Sequence, residues 1–377
     1  MRVKAVVIGG GIAGMSCADE LQRAGCDFRL ITDRLGGRIV YDEKDKVNFG
    51  AYFVMENYTN ARKIVGAARW INPLDACFHN GVGESFNTLS LHTVKRIPDF
   101  IRFLKKMLEF RKHYATYKQH CLVMSQRDAM DKDVYIKSMF SIPAKQFIES
   151  NGLEKVASDY VSKFAYACTG VDYSHITALD FMNVSQGLLE PIFQITFDEH
   201  AKAAQYGDCL IEGMVTSIER DSKGYTILTD SGDRIETEMV VAATPAAITQ
   251  KLLGIPKIRD ACQLYVHYVE AVLKPLYAKR SLNLFPYSSE IVLTARQADG
   301  RYLIYARTPD ADIGIVCESF KELKTRDWDR AMYVHGESYL EQNLAGGLFT
   351  AGDHNGLGLE PSAISGIYAA KQIIEKC

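Results

Sequence analysis

No apolar run in the 377 residues approaches the 18 or so that a membrane-spanning helix needs. An excess of either charge is equally absent. Forty-four Lys and Arg stand against 46 Asp and Glu, a formal charge of −2, which excludes the basic footprint of a nucleic-acid-binding domain. The nine cysteines are odd in number and contain no CxxC pair. No zinc or iron–sulfur spacing exists among them, no metal is expected, and free thiols in a reducing cytosol account for them. Internal repeats and low-complexity tracts are missing, and because the first strand is expected to begin at once, no signal peptide is expected. A soluble, cytoplasmic protein is expected. At 377 residues the chain exceeds the ~250–300 that one core accommodates, so two lobes are expected.

What is present is concentrated at the two ends. Ala5-Val6-Val7-Ile8 is a short continuous apolar run set directly against Gly9-Gly10-Gly11-Ile12-Ala13-Gly14. Such a run reads as a buried parallel strand. Gly9 then permits the tight turn, Gly11 lets backbone N–H groups approach a pyrophosphate, and Gly14 lets the next helix pack on the strand. The helix is expected from Ile12 to about Ala24, with Ala13, Cys17, Ala18 and Leu21 inward and Gly25 as its stop. A second apolar stretch, Phe28 to Ile31, leads to Thr32 and Asp33. The ribose-binding acid expected about 20 residues after the glycines is thus replaced by a threonine with an aspartate beside it, and either side chain can meet a ribose hydroxyl.

Beyond the second strand stand Leu35-Gly36-Gly37-Arg38 and Val47-Asn48-Phe49-Gly50-Ala51-Tyr52. Near the C-terminus stand Gly347-Leu348-Phe349-Thr350-Ala351-Gly352-Asp353 and Glu360-Pro361-Ser362-Ala363-Ile364-Ser365-Gly366. At these residues the chain resembles the flavin-containing amine oxidoreductase family, which includes monoamine and polyamine oxidases, protoporphyrinogen oxidase and carotenoid desaturases. The resemblance implies an α/β fold: a Rossmann-like FAD-binding domain of the GR2 type with an interleaved α+β substrate-binding domain. The first is expected from residues 1–55, 205–255 and 330–377, the second from 56–204 and 256–329.

The resemblance also implies roles. Gly36, Gly37 and Arg38 approach the diphosphate, Phe49-Gly50-Ala51 with Tyr52 lies against the isoalloxazine ring, and Val215 meets the adenine through its backbone. Asp353, after Gly352, faces the ribityl and phosphate part of the cofactor. Ala243, Thr244 and Pro245 close a buried strand on small residues, which admits a ligand at the strand's carboxyl end. Pro361, Ser362 and Ala363 open a last helix whose positive end suits the pyrimidine edge of the flavin. The implied activity is that of an FAD-dependent oxidoreductase taking a hydride from a C–N or C–C bond of a small organic substrate onto flavin N5. No cysteine stands near Leu357-Gly358-Leu359-Glu360, so FAD is expected to be non-covalent. That run also lacks the aromatic wall of the amine oxidases, for which Tyr333 or Trp328 is a candidate replacement.

No residue is nominated as a catalytic base, and His175 reads as structural. Two other functions stay open: a non-redox flavin enzyme of the sugar-nucleotide mutase type, drawing on Arg296, Arg301 and Arg307, and a flavin-binding interaction module. The second alternative rests on the 97–112 segment. Ile97, Phe100, Ile101, Leu104 and Leu108 share one helix face there, and Lys105, Lys106, Arg111 and Lys112 give the other a basic cast. It reads either as a substrate-lobe helix with a solvated face or as a peripheral contact with a membrane surface or partner. Residues 56–204 are expected to be mostly helical. Met214 to Arg220, Gly224 to Thr229 and Arg234 to Glu236 read as a meander, and Met239 to Thr244 as a separate buried strand. Asn80-Gly81-Val82-Gly83 lacks a third glycine, so a second nucleotide site is not expected.

Overall fold

The computed structural model describes residues 1–81, 83–255, 260–335, 339–344 and 346–377. Val82 and Pro256, where the second substrate-lobe segment was expected to begin, lie outside the described residues. The opening run forms strand β1, Arg2–Ile8, with Ala5, Val6 and Val7 fully buried. Helix α1, Ile12–Arg23, follows, and strand β2, Phe28–Thr32, lies parallel to β1. Gly25, at φ +70°, ends the helix in a conformation that side chains disfavour.

The first sheet has eight strands among the described residues. Leu210–Glu212, β2, β1 and Arg234–Ala242 run parallel, with Ile8 opposite Ala242 at their carboxyl ends. Arg234–Ala242 is a single nine-residue strand, not the two pieces expected. Its first half pairs antiparallel with Gly224–Thr229, and Val240–Ala242 pairs parallel with Leu348–Thr350. The burial pattern explains the misreading: alternate residues are exposed through Glu238, and the strand then turns fully buried as it enters the middle of the sheet. The strand Leu348–Thr350 near the end of the chain therefore lies one strand away from β1, with Arg234–Ala242 between them.

The second sheet has seven strands, in the order Cys317–His335, Asp260–Leu273, Tyr302–Ala306, Ile291–Arg296, Leu282–Leu284, Ala76–His79, Ser85–Asn87. Residues 56–204 accordingly supply strands as well as helices, including Gly66–Trp70 and Ile192–Thr196 in a third sheet with Phe53–Met55. The Cys317–His335 strand is nineteen residues long and carries no apolar run before Ala331; it is an edge strand whose ladder faces Asp260–Leu273 alone. It crosses position 329/330, and Met332, Tyr333 and His335 still pair with Asp260–Leu273 in the second sheet while Ala331 O accepts from Arg38 and Tyr333 OH from Ala247 N.

Helices α2, Leu91–Lys95, and α3, Ile97–Cys121, follow the Ser85–Asn87 strand. The inward face of α3 is Phe103, Met107, Phe110, Tyr114, Tyr117 and Cys121. That corrects the expected face: Ile97, Ile101, Leu104 and Leu108 are 41–55 % exposed, and Phe100 is half-buried. Two apolar stripes with the same spacing coexist on this helix, and the one rich in large aromatics won the core. A π turn at Ala157–Val161 precedes the helix Ser162–Thr169, which Gly170 ends at φ +71°. Lys163 is buried there and donates to the freed carbonyls of Ser158 and Asp159. Burial pulls its ammonium down to about 8. His175 is exposed in the short turn that follows. All nine cysteines are free thiols, and among the described residues no helix is long and apolar enough to cross a membrane.

Candidate cofactor site

The site is built where the carboxyl ends of β1 and Arg234–Ala242 meet two helix N-termini. Gly9 turns the chain at φ +107°, and a Cβ there would lie 2.7 Å from the carbonyl oxygen of Ala243. The Ala243 amide in turn donates to Ile8 O. A Cβ on Gly14 would come within 1.8 Å of Gly9 O, so the helix packs onto the turn only through glycine. Gly11 differs from both. Its φ of −73° suits any residue, and nothing lies within 4 Å of where a Cβ would stand. It is the N-cap of α1 and offers no side chain, the first turn carries no acid, and Ile12, Ala13 and Gly14 are buried. The leading amides of a buried helix are thereby left without a capping side chain, with open space in front.

The C-terminal helix, Leu359–Ile374, likewise starts without a side-chain cap, but with Glu360 in its first turn. Gly358 precedes it at φ +106° with no side-chain cap. It packs on α1 so closely that a Cβ on Gly366 would be 2.0 Å from Ala13 O. Pro361, Ser362 and Ala363 are buried in its first turn, with Ser362 Oγ donating to Gly358 O. Ser365 Oγ accepts from the Gly352 amide at 2.8 Å, which ties the helix to the glycine before Asp353.

Arg38 and Asp353, 315 positions apart, form an ion pair at 2.8 Å. The aspartate side chain is 6 % exposed and the arginine 30 %. Burial works against ionisation of Asp353, but the charge and hydrogen bond of Arg38 outweigh it and hold the carboxyl below its ordinary value. Both contacts of the guanidinium, to Asp353 and to Ala331 O, come from Nη1. Nε and Nη2 make no bond among the described residues and keep three donors for an anion. Gly37 stands against Gly11: a Cβ on it would lie 2.9 Å from Gly11 Cα. Gly36 donates to Gly10 O, so the Gly36-Gly37-Arg38 loop is stitched to the glycine turn.

Phe49 to Tyr52 runs beside Arg38. The Ala51 amide donates to Arg38 O, and a Cβ on Gly50 would collide with the same carbonyl. From the other side, Trp328 Nε1 donates to Phe49 O at 2.7 Å and Tyr305 OH to Gly50 O at 3.3 Å. Tyr52 accepts from Gln194 Nε2 at 2.8 Å and meets the Tyr305 ring edge-on at 6.3 Å. Thr32 is committed to its own turn, with its hydroxyl donating to Arg34 O and accepting from Arg34 N, whereas Asp33 is exposed. Val215 is half-buried against the apolar cluster that includes Ile8 and Ile31. Thr244 Oγ1 bonds Thr249 Oγ1, and Pro245 precedes a short helix.

Several residues escaped the sequence reading. Glu360 is buried and accepts from the amides of Asn60 and Ala61 and from Asn60 Nδ2, clamping the last helix to a loop 300 positions earlier. Asp180 and Asn183 hold the amide and carbonyl of Leu357 in the turn before that helix. An acid ahead of a proline at a helix start was the one local signal for Glu360; the others had none. Tyr333 is buried with its hydroxyl accepting from Ala247 N and its ring 5.9 Å from the Arg38 guanidinium, and Trp328 is engaged at Phe49. The three arginines of the mutase alternative are dispersed. Arg296 and Arg301 flank one end of a hairpin and Arg307 the other, six strand residues or ~20 Å away.

Residues 7–67 match the family model described as an NAD(P)-binding Rossmann-like domain. Among curated proteins none matches the chain. Putrescine oxidase with putrescine bound is 13 % identical, with 100 % of this chain and 99 % of that one covered at a TM-score of 0.71. Cyclohexylamine oxidase from Brevibacterium oxydans is 15 % identical, with 99 % of each chain covered and a TM-score of 0.67. A fatty acid isomerase from P. acnes is 15 % identical, with 99 % and 98 % covered at 0.69. Similarity at this level is one of fold, and it spans both lobes. The chain thus has an α/β architecture in which a Rossmann-like domain is interleaved with an α+β lobe, and it shares its overall fold with those two amine oxidases and that isomerase.

Proposed function

We propose that the protein is an FAD-dependent oxidoreductase that removes a hydride equivalent from a C–N or C–C bond of a small organic substrate. One observation carries the reading: two buried, uncapped helix N-termini and an arginine with three unused donors converge from opposite ends of the chain. An elongated ligand with a diphosphate at its middle uses all of them. When bound, the flavin supplies the hydride acceptor. The chain's own residues do the rest. The α1 amides and the free edge of Arg38 take the diphosphate, and Asp353, kept ionised by Arg38, accepts from a ribityl hydroxyl. Asp33 is the better placed of the two ribose candidates, because Thr32 is already bonded within its turn. Val215, Ala243, Thr244 and Pro245 line the adenine side. Phe49, Gly50, Ala51 and Tyr52 form a strip whose carbonyls are pinned by Trp328 and Tyr305, a stiff support for the ring. The positive end of the C-terminal helix, opened by Pro361, Ser362 and Ala363, favours negative charge at the pyrimidine edge.

Tyr52, Tyr305 and Gln194 give the reacting end an uncharged lining, suited to a neutral amine or an alkyl chain. The scattered arginines do not favour the mutase alternative. FAD is held without a covalent bond, since the Leu357–Glu360 turn carries no cysteine, and free thiols suit a cytoplasmic setting. The test is direct. Purified protein should be yellow or take up FAD, and anaerobic mixing with putrescine, cyclohexylamine or an unsaturated fatty acid should bleach the visible absorption with one of these classes. Folded protein that binds no FAD overturns the proposal, and product formed without bleaching overturns the oxidoreductase reading alone.

A further inference from the structure

Seven of the large apolar residues that stand in solvent fall within twenty positions: Leu89 at 76 % exposure, Leu91 at 83 %, Val94 at 59 %, Ile97 at 48 %, Ile101 at 50 %, Leu104 at 41 % and Leu108 at 55 %. Scattered single residues of this kind are ordinary, but a contiguous row marks a contact surface. The four on α3 lie within about 60° of one another around the helix, at 100° per residue, and about 130° from the buried aromatic face. They are not an overflow of the core. The row continues past the start of α3 into α2 and the loop before it, where exposure is greatest. Thr88 Oγ1 donates to Pro73 O, which brings half-exposed Leu74 to the same end.

Charge decides what covers this row. Lys95, Lys105 and Lys112 are exposed along its solvent edge and make no ion pair among the described residues. The acids of the same segment are engaged, Asp99 with Arg102 and Glu109 with Lys106. A line of exposed aliphatic side chains, with only cations left free in the same segment among the described residues, suits a surface that yields to shallow insertion and carries negative charge. A protein partner of ordinary affinity wants aromatic anchors, and the seven residues of the row are all aliphatic.

We propose that α2, α3 and the Leu89 loop form a peripheral docking surface for an anionic lipid bilayer, with Leu89 and Leu91 entering deepest and Lys95, Lys105 and Lys112 at the headgroups. The experiment is flotation of the full-length protein with vesicles of phosphatidylcholine alone or mixed with phosphatidylglycerol, at low and high salt. The wild type should float with the mixed vesicles and not with phosphatidylcholine alone, and high salt should reduce binding. Leu91→Gln with Leu104→Gln should cut the bound fraction at least tenfold, and Lys105→Glu with Lys112→Glu should abolish the preference for phosphatidylglycerol. All four positions are exposed, so unchanged melting confirms that the variants fold. The proposal is overturned by wild-type protein that stays with the soluble fraction at low salt, or by binding that survives the leucine substitutions. It is equally overturned if those substitutions dissolve a concentration-dependent dimer in lipid-free buffer, because a second copy then covers the row.

Discussion

Three glycines on the same dinucleotide turn and its neighbouring helix should respond to substitution in opposite ways. At Gly11 the backbone is ordinary and the space in front is open, so Gly11→Ala and Gly11→Glu disturb no protein contact. Loss of glycine's freedom in the unfolded chain should even stabilise the ligand-free protein by about 0.4–1 kcal/mol. At Gly14 and Gly366 an added methyl would overlap a carbonyl oxygen at 1.8 and 2.0 Å, and α1 must then move off either the turn or the C-terminal helix. Overpacking of this kind costs roughly 1–3 kcal/mol or more, a fall in melting temperature of about 1–4 °C in a chain this long. Cofactor binding should reverse the ranking. FAD at a hundredfold excess over its dissociation constant adds about 2.7 kcal/mol to any variant that binds it. Gly11→Glu, which sets bulk and negative charge where the diphosphate belongs, should gain nothing. Calorimetry with and without FAD, read beside the visible spectrum, gives both quantities from one preparation. A Gly11→Glu protein that melts below wild type before FAD is added shows that the space is not open. One that melts normally and stays yellow refutes the placement of the diphosphate.

Other residues carry their own tests. Glu360→Ala leaves the Asn60 and Ala61 amides unpaired in a buried loop, and each such orphan costs about 1–3 kcal/mol, visible as an earlier denaturant midpoint. Asp353 has a lowered folded value, so its contribution is full above the unfolded carboxyl's ~3.9 and fades as pH falls through the folded one. Wild type should therefore exceed Asp353→Asn in stability at neutral pH, and the gap should close below about pH 4. A gap independent of pH refutes the ion-pair account. Lys163 works in the other sense. Its ammonium is lowered to about 8 against 10.5, so the unfolded chain binds more protons between those values. Wild type should gain on Lys163→Met as pH rises through that window, by on the order of 3 kcal/mol. Trp328→Phe removes the donor to Phe49 O and should alter the shape of the bound-flavin spectrum while the melting point moves by no more than a few degrees.

Local patterns made part of this fold legible. The glycine turn, α1 and the opening of the last helix each carry their signal within some fifteen residues; the turn and α1 form where the spacing puts them, and the last helix begins at Leu359, two residues ahead of its proline. The sites that bind those pieces together carry no local signal, because their partners are remote: Arg38 finds Asp353, and Glu360 finds Asn60, across three hundred positions or more. Edge strands hide for a different reason. Cys317–His335 is rich in charge from Glu318 to Arg330, where it has little buried face, and Gly66–Trp70 is exposed at every residue. On α3 the periodicity was real and the choice of face was not, since spacing alone cannot say which of two apolar stripes meets the core.

The long Arg234–Ala242 strand has a consequence for biosynthesis. Its parallel neighbours are β1 on one side and Leu348–Thr350 on the other, and α1 rests on a helix made from residues 359–374. A nascent chain emerging from the ribosome exposes the apolar flank of its first strand and helix until almost everything else has been translated. Such non-local closure is slow and vulnerable to association, so the earliest-made segment should be the last to mature, and ligand present during synthesis should raise the yield of soluble protein.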